Sequence, residues 1–262
     1  MRRLLIRPGA IGDIITSLPA IESLRAEYTE VWAPTPVVPL LHHLGEVHAI
    51  ASTGLDLLEL GLAPAALRAR LARFDSIVSW YGANRTEFRD AVQGLPFVFF
   101  PALPGGACHA TDFYNSQART LGVEPAGIPR LPLPRQDLGF AVIHPFSSNP
   151  AKNWPLKDFE AVAAHLCGRL PVHWLAGPEE SLEGAVRISG LGDLAHWLAQ
   201  ARLYVGNDTG ITHLAAAVGV PTAAIFQSTD PAVWAPRGAV PLVRPAREEV
   251  LSAVDGLLAQ GA

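Results

Sequence analysis

The chain has 262 residues, of which 49% are hydrophobic and 17% are charged, and its formal net charge is −4. This composition supplies enough apolar surface for one large core or two smaller ones and excludes a disordered protein. The chain has no excess of basic residues, so the charge does not indicate nucleic-acid binding. No apolar run approaches the roughly 18 residues that a membrane span needs.

Strands and helices are predicted to alternate along the chain, which favours an α/β fold. The first strand is predicted at 4–6, and its apolar run stops at Arg7-Pro8-Gly9, which is too short for a secretory signal. Residues 14–24 carry apolar side chains at helical spacing, and Pro19 predicts a kink or a short first turn there. In this half, strands are further predicted at 31–33, 47–50, 76–80 and 97–100, and helices at 37–44, 62–74 and 109–121.

The loop 7–13 joins the first strand to the first helix, where α/β folds place their ligand sites. It supplies only the last two glycines of the dinucleotide fingerprint, because Arg7 stands where the first would be. Pro34, and not an acid, follows the second strand, so a nicotinamide or flavin oxidoreductase is disfavoured. Asp13 is interpreted either as a helix N-cap or as a general base at the mouth of a cleft.

Arginines recur on the predicted helices of this half, at Arg68, Arg70, Arg73, Arg85 and Arg89. They form either a patch for an anionic acceptor or membrane headgroups, or a solvated helix face. Residues 122–134 then contain four prolines and no period, which is typical of a linker. We therefore expect two domains, 1–135 and 136–262, with a final helix at 247–258 that packs back across the two.

In the second half, four loops follow the carboxyl ends of predicted strands, at 144–153, 176–180, 206–210 and 227–231. The strands are predicted at 140–143, 172–175, 203–205 and 222–226, and the helices at 156–170, 191–200 and 211–218. Parallel strands bring such loops to one edge of a sheet. Two Rossmann-like domains facing across a cleft would then hold a nucleotide in one domain and a second substrate in the other.

The stretch 203–226 reads as strand, tight loop, helix and strand. Its turn Asp208-Thr209-Gly210 presents backbone N–H groups, a hydroxyl and the positive end of a helix dipole, which suits a phosphate. His213 lies one turn further and adds a donor. The alternative is that these residues only cap the helix and that His213 is a core residue.

Other strand-end loops add candidate ligand groups. Ser147 and Lys152 lie on the first loop of this half, and Lys152 can reach a phosphate as a point charge or be an ordinary surface lysine. Glu179 can accept from ribose hydroxyls, or it can be a first-turn acid, with Glu180 close behind. Two cysteines, Cys108 and Cys167, have no metal spacing, so we expect reduced thiols in a cytoplasmic protein.

These motifs in this order resemble glycosyltransferase family 9, which includes the ADP-heptose:lipopolysaccharide heptosyltransferases and has a GT-B fold. The resemblance lies in Arg-Pro-Gly-Ala-Ile-Gly-Asp at 7–13 with Pro19, in His144-Pro145 with Lys152-x-Trp154-Pro155, and in 208–217 with Phe226, Pro231 and Trp234.

The resemblance implies an inverting, metal-independent glycosyltransferase that uses a nucleotide-sugar, usually ADP-heptose, and needs no cofactor. Asp13 matches the base, and Lys152 matches the basic residue near the donor diphosphate. The residues that match donor or phosphate binding are Ser147, Asp208, Thr209, Gly210, His213 and Glu179. Gly12 and Arg85 are placed on the acceptor side.

The partners expected are a nucleotide-sugar and a lipopolysaccharide or other surface-glycan acceptor, without nucleic acid. We expect a monomer in the cytoplasm, with peripheral contact to the inner membrane surface as an option. The alternative function is a non-catalytic nucleotide-sugar-binding module that has lost acceptor turnover.

Overall fold

A computed structural model describes residues 1–106 and 108–260 of the chain. The chain divides into two compact units, the first formed by residues 1–105 and 110–127 and the second mainly by residues from Ile128 onward. Each unit contains one five-stranded sheet in which every strand pairing is parallel. The predicted α/β fold class is confirmed.

The first unit has the sheet order β3-β2-β1-β4-β5. Its elements are β1 (Arg2–Ile6), α1 (Ile11–Thr16), α2 (Leu18–Ser23), β2 (Tyr28–Ala33), β3 (Glu46–Ala49), α3 (Ala65–Leu71), β4 (Ser76–Ser79), α4 (Thr86–Ala91), β5 (Phe97–Phe99) and α5 (Ala110–Arg119). After β3 the chain returns to the other side of β1 to form β4, so the strand order reverses between β1 and β4. Parallel α/β sheets bind ligands beyond the carboxyl ends of the strands at such a switch point.

The second unit has the sheet order β10-β9-β8-β6-β7, which puts its switch point between β6 and β8. Its elements are β6 (Ala141–His144), α6 (Leu156–Leu166), β7 (Val172–Trp174), α7 (Leu191–Leu198), β8 (Leu203–Asn207), α8 (Gly210–Ala217), β9 (Thr222–Phe226), α9 (Pro231–Trp234), β10 (Val240–Val243) and α10 (Arg247–Gln260). The last helix packs on α6 and on β8, β9 and β10, and it buries Val250 and Val254 in the core of this unit.

Some local expectations are corrected. The segment predicted as a helix at 37–44 forms two 3-10 helices, Thr35–Leu40 and His42–Leu44, because prolines at 36 and 39 remove two N–H donors. The helix predicted at 62–74 begins after Pro64, and β10 was not predicted. The break suggested by Pro19 is present, since α1 ends before Ser17 and α2 carries Pro19 in its first turn.

No helix among residues 1–106 and 108–260 is both long enough and apolar enough to cross a membrane.

Gly45 fixes the entry into β3. Its φ is +144°, and a Cβ there would lie 2.3 Å from the carbonyl oxygen of Thr29 on β2. We expect Gly45→Ala to lower the free energy of unfolding by about 3 kcal/mol, because backbone strain and a backbone clash add. Gly94→Ala is the control, since its φ is +79° but nothing lies within 4 Å, and it should cost about 1 kcal/mol. Urea unfolding measures both, and equal losses would contradict this explanation.

Candidate functional site

The start of α8 lies at the switch point of the second sheet. Thr209 is the N-cap of this helix, and its Oγ1 accepts from the N–H of Thr212 at 3.3 Å. The first N–H groups of a helix have no acceptor inside the helix, and they carry the positive end of its dipole. The strand-to-helix turn predicted as a phosphate cradle is therefore present, with Thr209 in the capping position.

Asn207 connects this turn to the neighbouring strand-end loop. Its buried side chain donates to the carbonyl oxygen of Pro145 at 2.7 Å and accepts from the N–H of Trp154 at 2.9 Å. Trp154 is itself buried against Phe159, with ring centroids 5.1 Å apart. The loop that carries Lys152 is thus held beside the start of α8 by one amide side chain.

The buried carboxylate of Asp208 lies among the side chains of Lys152, Thr229 and His213. Asp208 is 4% exposed, and its Oδ2 accepts from the Lys152 ammonium at 2.7 Å and from the Thr229 hydroxyl at 2.6 Å. Nε2 of His213 lies 3.9 Å from Oδ1 of the same carboxylate. The Lys152 side chain is 25% exposed and the Asp208 side chain 5%, so the cation is the member of the pair that faces solvent.

Two other predicted residues lie on neighbouring loops without joining this cluster. Ser147 is half-buried, and its hydroxyl accepts from the N–H of Asn149 at 3.3 Å. Glu179 is exposed. Their roles remain predictions.

Glu180, and not Glu179, is the acid that this structure fixes. Its Oε2 accepts from the N–H of Gly177 at 2.7 Å and lies 3.4 Å from Nε2 of His144. The hydrogen bond from His144, supported by that from Gly177, lowers the pKa of the Glu180 carboxyl. Arg187 closes the same turn by donating to the carbonyl oxygens of Gly177 and Glu180.

In the first unit, Asp13 lies at the switch point between β1 and β4. It is the third residue of α1 and not the N-cap, and its Oδ2 accepts from the N–H of Ala10 at 2.9 Å. Gly9 has φ +129°, and a Cβ there would lie 2.9 Å from the Cβ of Asp13. The capping interpretation of Asp13 is therefore correct in part, since its carboxylate closes the loop from within the first turn.

A buried arginine holds this loop in place through hydrogen bonds to its backbone. Arg7 has no exposed surface, and its guanidinium donates to Ser17 Oγ at 3.0 Å and to the carbonyl oxygens of Pro8 and Asp13 at 2.6 and 2.9 Å. It also lies 4.5 Å from the ring centroid of Tyr114. Burial lowers the pKa of Arg7, and the nearby Tyr114 and Asp13 act in the opposite direction.

The two residues expected on the acceptor side, Gly12 and Arg85, make contacts within the first unit. Gly12 lies inside α1, where its carbonyl oxygen accepts from Thr16 at 2.9 Å. Arg85 precedes α4 and donates to Glu59 at 2.7 Å and to the Tyr81 hydroxyl at 3.1 Å, with 53% of its side chain exposed. These contacts identify no ligand, and the acceptor side remains a prediction.

One group of side chains in the described part of the chain has the spacing of a metal site. The ligand atoms of Glu30, Glu46 and His48 lie within 4.8 Å of one another on β2 and β3. Glu30 already accepts from Nε1 of Trp32 at 2.6 Å and pairs with Arg70. The carboxylate thus has protein partners, and we assign no metal to it.

Several residues of the site were not singled out from the sequence. Thr229 was covered only by the strand-end loop 227–231, and Arg7 only by a motif. Arg7 gave one signal, because a charged residue directly follows a buried strand. His144 was quoted only within a motif and Glu180 only as the neighbour of Glu179. The contact between these two side chains could not be predicted, since they are distant in sequence and come together only through the order of the strands.

Comparison with solved structures identifies the fold. E. coli ADP-heptose LPS heptosyltransferase II matches with a TM-score of 0.74 at 19% identity, covering 99% of each chain. E. coli heptosyltransferase WaaC with ADP matches with a TM-score of 0.72 at 17% identity, covering all of both chains. The iron-containing dodecameric glycosyltransferase TibC from E. coli has a TM-score of 0.55 at 20% identity, over 91% of this chain and 61% of that one. The fold is that of the GT-B glycosyltransferases.

The sequence itself gives the family. The model of glycosyltransferase family 9 (heptosyltransferase) matches residues 110–243, which is just over half of the chain. The chain therefore belongs to glycosyltransferase family 9, as the motifs predicted. A comparison with curated proteins gives no match.

Glu180 provides a test of the fixed turn after β7. A depressed carboxyl pKa adds stability that is fully present above the unfolded value, about 4.3, and is lost as the pH falls through the folded value. We expect Glu180→Gln to cost about 1 kcal/mol at pH 7 and less at pH 4. Urea unfolding at the two pH values measures this difference.

Glu179→Gln is the matched control, because the neighbouring side chain is exposed. It should change stability by less than about 0.5 kcal/mol at both pH values. A loss for Glu180→Gln that is as large at pH 4 as at pH 7 would contradict the assignment.

Proposed function

We propose that this protein transfers a heptose from an ADP-linked donor to a lipopolysaccharide-type or other surface-glycan acceptor, with inversion and without a bound metal. The cluster of Lys152, Asp208 and His213 at the start of α8 carries the proposal, because it holds the partly exposed Lys152 ammonium beside the free backbone N–H groups that can bind a phosphate. WaaC, which has the same fold, is a heptosyltransferase whose structure contains ADP.

The leaving group determines what the second unit must do. As the bond between the anomeric carbon and the diphosphate breaks, its electron pair goes to the diphosphate oxygen. In this proposal Lys152 and the start of α8 stabilise that charge, which is the role that metal ions have in other transferases. Asp208 fixes the ammonium of Lys152 and is itself held by the Thr229 hydroxyl, so this stabilisation is prepared before the donor binds.

The acceptor determines what the first unit must do. The acceptor hydroxyl oxygen forms the new bond to the anomeric carbon, and its proton goes to the Asp13 carboxylate as general base. A single displacement inverts the anomeric centre and needs only one such base. The loop held by Arg7 and Gly9 gives this carboxylate a defined position.

Donor binding tests the second unit. ADP should raise the melting temperature of the protein more than GDP, UDP or dTDP does, because the donor is expected to carry ADP. Lys152→Met should weaken ADP binding by about tenfold or more, since a charge-assisted hydrogen bond is lost. Calorimetric titration measures the dissociation constant.

The matched control for that substitution is Lys157→Met, which removes an exposed lysine five residues away on α6 and should leave the affinity unchanged. If Lys152→Met binds ADP as the unmodified protein does, Lys152 is not part of the donor site. Transfer that stops in EDTA and returns with a divalent cation would contradict metal independence.

Acceptor activation tests the first unit. Asp13→Asn should lower kcat by about 10²- to 10⁴-fold, the usual contribution of a general base, while ADP affinity changes by less than about twofold. Radiolabelled sugar transfer and titration with ADP separate these two effects.

Asp75→Asn is the control, because Asp75 also accepts from a backbone N–H, that of Arg2 at 2.7 Å, but lies at the amino end of β4. Its activity should stay normal. An unmodified protein that binds an ADP-sugar and transfers it to no acceptor would indicate the non-catalytic binding module.

A further inference from the structure

The first helix of the chain ends early, directly after the residue that carries the candidate base. Helix α1 covers Ile11–Thr16, and α2 begins at Leu18. In a regular α-helix the N–H of Ser17 would donate to the carbonyl oxygen of Asp13, four residues earlier. It donates to the carbonyl oxygen of Ile14 instead, at 3.1 Å. The end of α1 therefore leaves the Asp13 carbonyl group to be bonded by side chains.

Two side chains reach the carbonyl oxygen of Asp13. Nη2 of Arg7 donates to it at 2.9 Å, and the Thr16 hydroxyl oxygen lies 3.2 Å away. The Thr16 hydroxyl has a single proton, and the carbonyl oxygen of Gly12 is the nearer acceptor for it, at 2.9 Å. The guanidinium of Arg7 is therefore the main donor to the Asp13 carbonyl.

The same guanidinium also bonds both flanks of the turn. Its Nη1 donates to the carbonyl oxygen of Pro8 at 2.6 Å, and its Nε donates to Ser17 Oγ at 3.0 Å. The Ser17 hydroxyl gives its own proton to the carbonyl oxygen of Ile14 at 2.8 Å, so its oxygen is an acceptor for Arg7. Because a guanidinium is planar and its N–H directions are fixed, these acceptors are held in one geometry.

The bonded groups lie inside the first unit, whereas Asp13 lies at its surface. Arg7 and Ser17 have no exposed surface, and the rings of Tyr114 and Trp80 have their centroids 4.5 and 5.8 Å from the guanidinium carbon. A buried cation is stable only where its donors find acceptors, so this arrangement has little freedom to shift. Asp13 itself is partly exposed, and the three residues that follow it in α1 are buried.

We propose that Arg7 and Ser17 are positioning residues for the general base. Together they hold the backbone of Asp13 so that its carboxylate meets the acceptor hydroxyl in a reactive geometry. Both are fully buried, so they act through Asp13 and do not touch the acceptor. The inference rests on the proposed function and deepens it, because the role of Asp13 as base belongs to that function.

Sugar transfer tests the proposal. Arg7→Met should lower kcat on the order of 10²-fold, since displacing a reacting group by about 1 Å can cost that factor. Ser17→Ala removes one of the three acceptors of Arg7 and should lower kcat by about three- to tenfold, the range of one ordinary hydrogen bond. In both variants the KM for the donor and the affinity for ADP should stay within about twofold of normal, because the proposed donor site lies in the second unit.

The Asp13→Asn protein separates positioning from folding. No base is left to position there, so Arg7→Met and Ser17→Ala should each slow the residual transfer by less than about twofold. A purely structural role would lower transfer by the same factor with and without the Asp13 carboxylate. Ser17→Ala makes the same comparison with a much smaller change, and it decides the question where Arg7→Met does not fold.

Matched controls come from the same unit. Arg3→Met removes another buried arginine, whose guanidinium donates to the carbonyl oxygen of Leu24 at 2.7 Å. Ser23→Ala removes a hydroxyl that donates three residues back, to the carbonyl oxygen of Ala20 at 2.8 Å, as Ser17 does, but at the end of α2 and not of α1. Both controls should keep kcat within about twofold of normal.

The outcomes separate the two proposals. A normal kcat for Ser17→Ala, or equal factors with and without the Asp13 carboxylate, would overturn the positioning role and leave the proposed function standing. An unmodified protein that transfers no sugar, or transfer that Asp13→Asn does not slow, would overturn the role of Asp13 as base and the positioning role with it.

Discussion

The ion pair between Lys152 and Asp208 is the interaction on which the candidate donor site depends. A carboxylate that is 4% exposed is stable only with partners, and Asp208 has the ammonium, the Thr229 hydroxyl and the positive start of α8. Since Asp208 is the buried member, the pair presents Lys152 to solvent. The carboxylate holds the ammonium in place, and in the proposed function it is this ammonium that an anionic ligand contacts.

The first unit also has a buried charged side chain at its switch point, but this charge is positive. There the fully buried group is the guanidinium of Arg7, which binds the carbonyl oxygens of Pro8 and Asp13 and lies on the ring of Tyr114. Three good acceptors and an aromatic face offset the cost of removing that cation from water. In each unit, one buried charge fixes the loop at the point where the strand order reverses.

The sequence predicted the architecture because its signals are local. Alternating apolar runs give the strands and helices, and a Thr before a helical run gives the cap at Thr209. Glycine and proline around these runs mark the turns. Most predicted elements are present, with ends shifted by a few residues, and the exception at 37–44 has closely spaced prolines that favour 3-10 geometry.

What the sequence could not predict depends on contacts across strands. The pairing of β6 with β8 sets His144 beside Gly206, and this register alone brings the imidazole to the Tyr204 hydroxyl. The choice between Glu179 and Glu180 is similar, since it depends on which side chain turns back to the N–H of Gly177. Neither residue type nor spacing contains that information.

A crystal structure of the protein with ADP would test the central claim most directly. We expect phosphate oxygens within about 3 Å of the first backbone N–H groups of α8 and of the Lys152 ammonium, with Asp208 still bound to the ammonium. ADP bound elsewhere on the protein, with no phosphate near the start of α8, would contradict it.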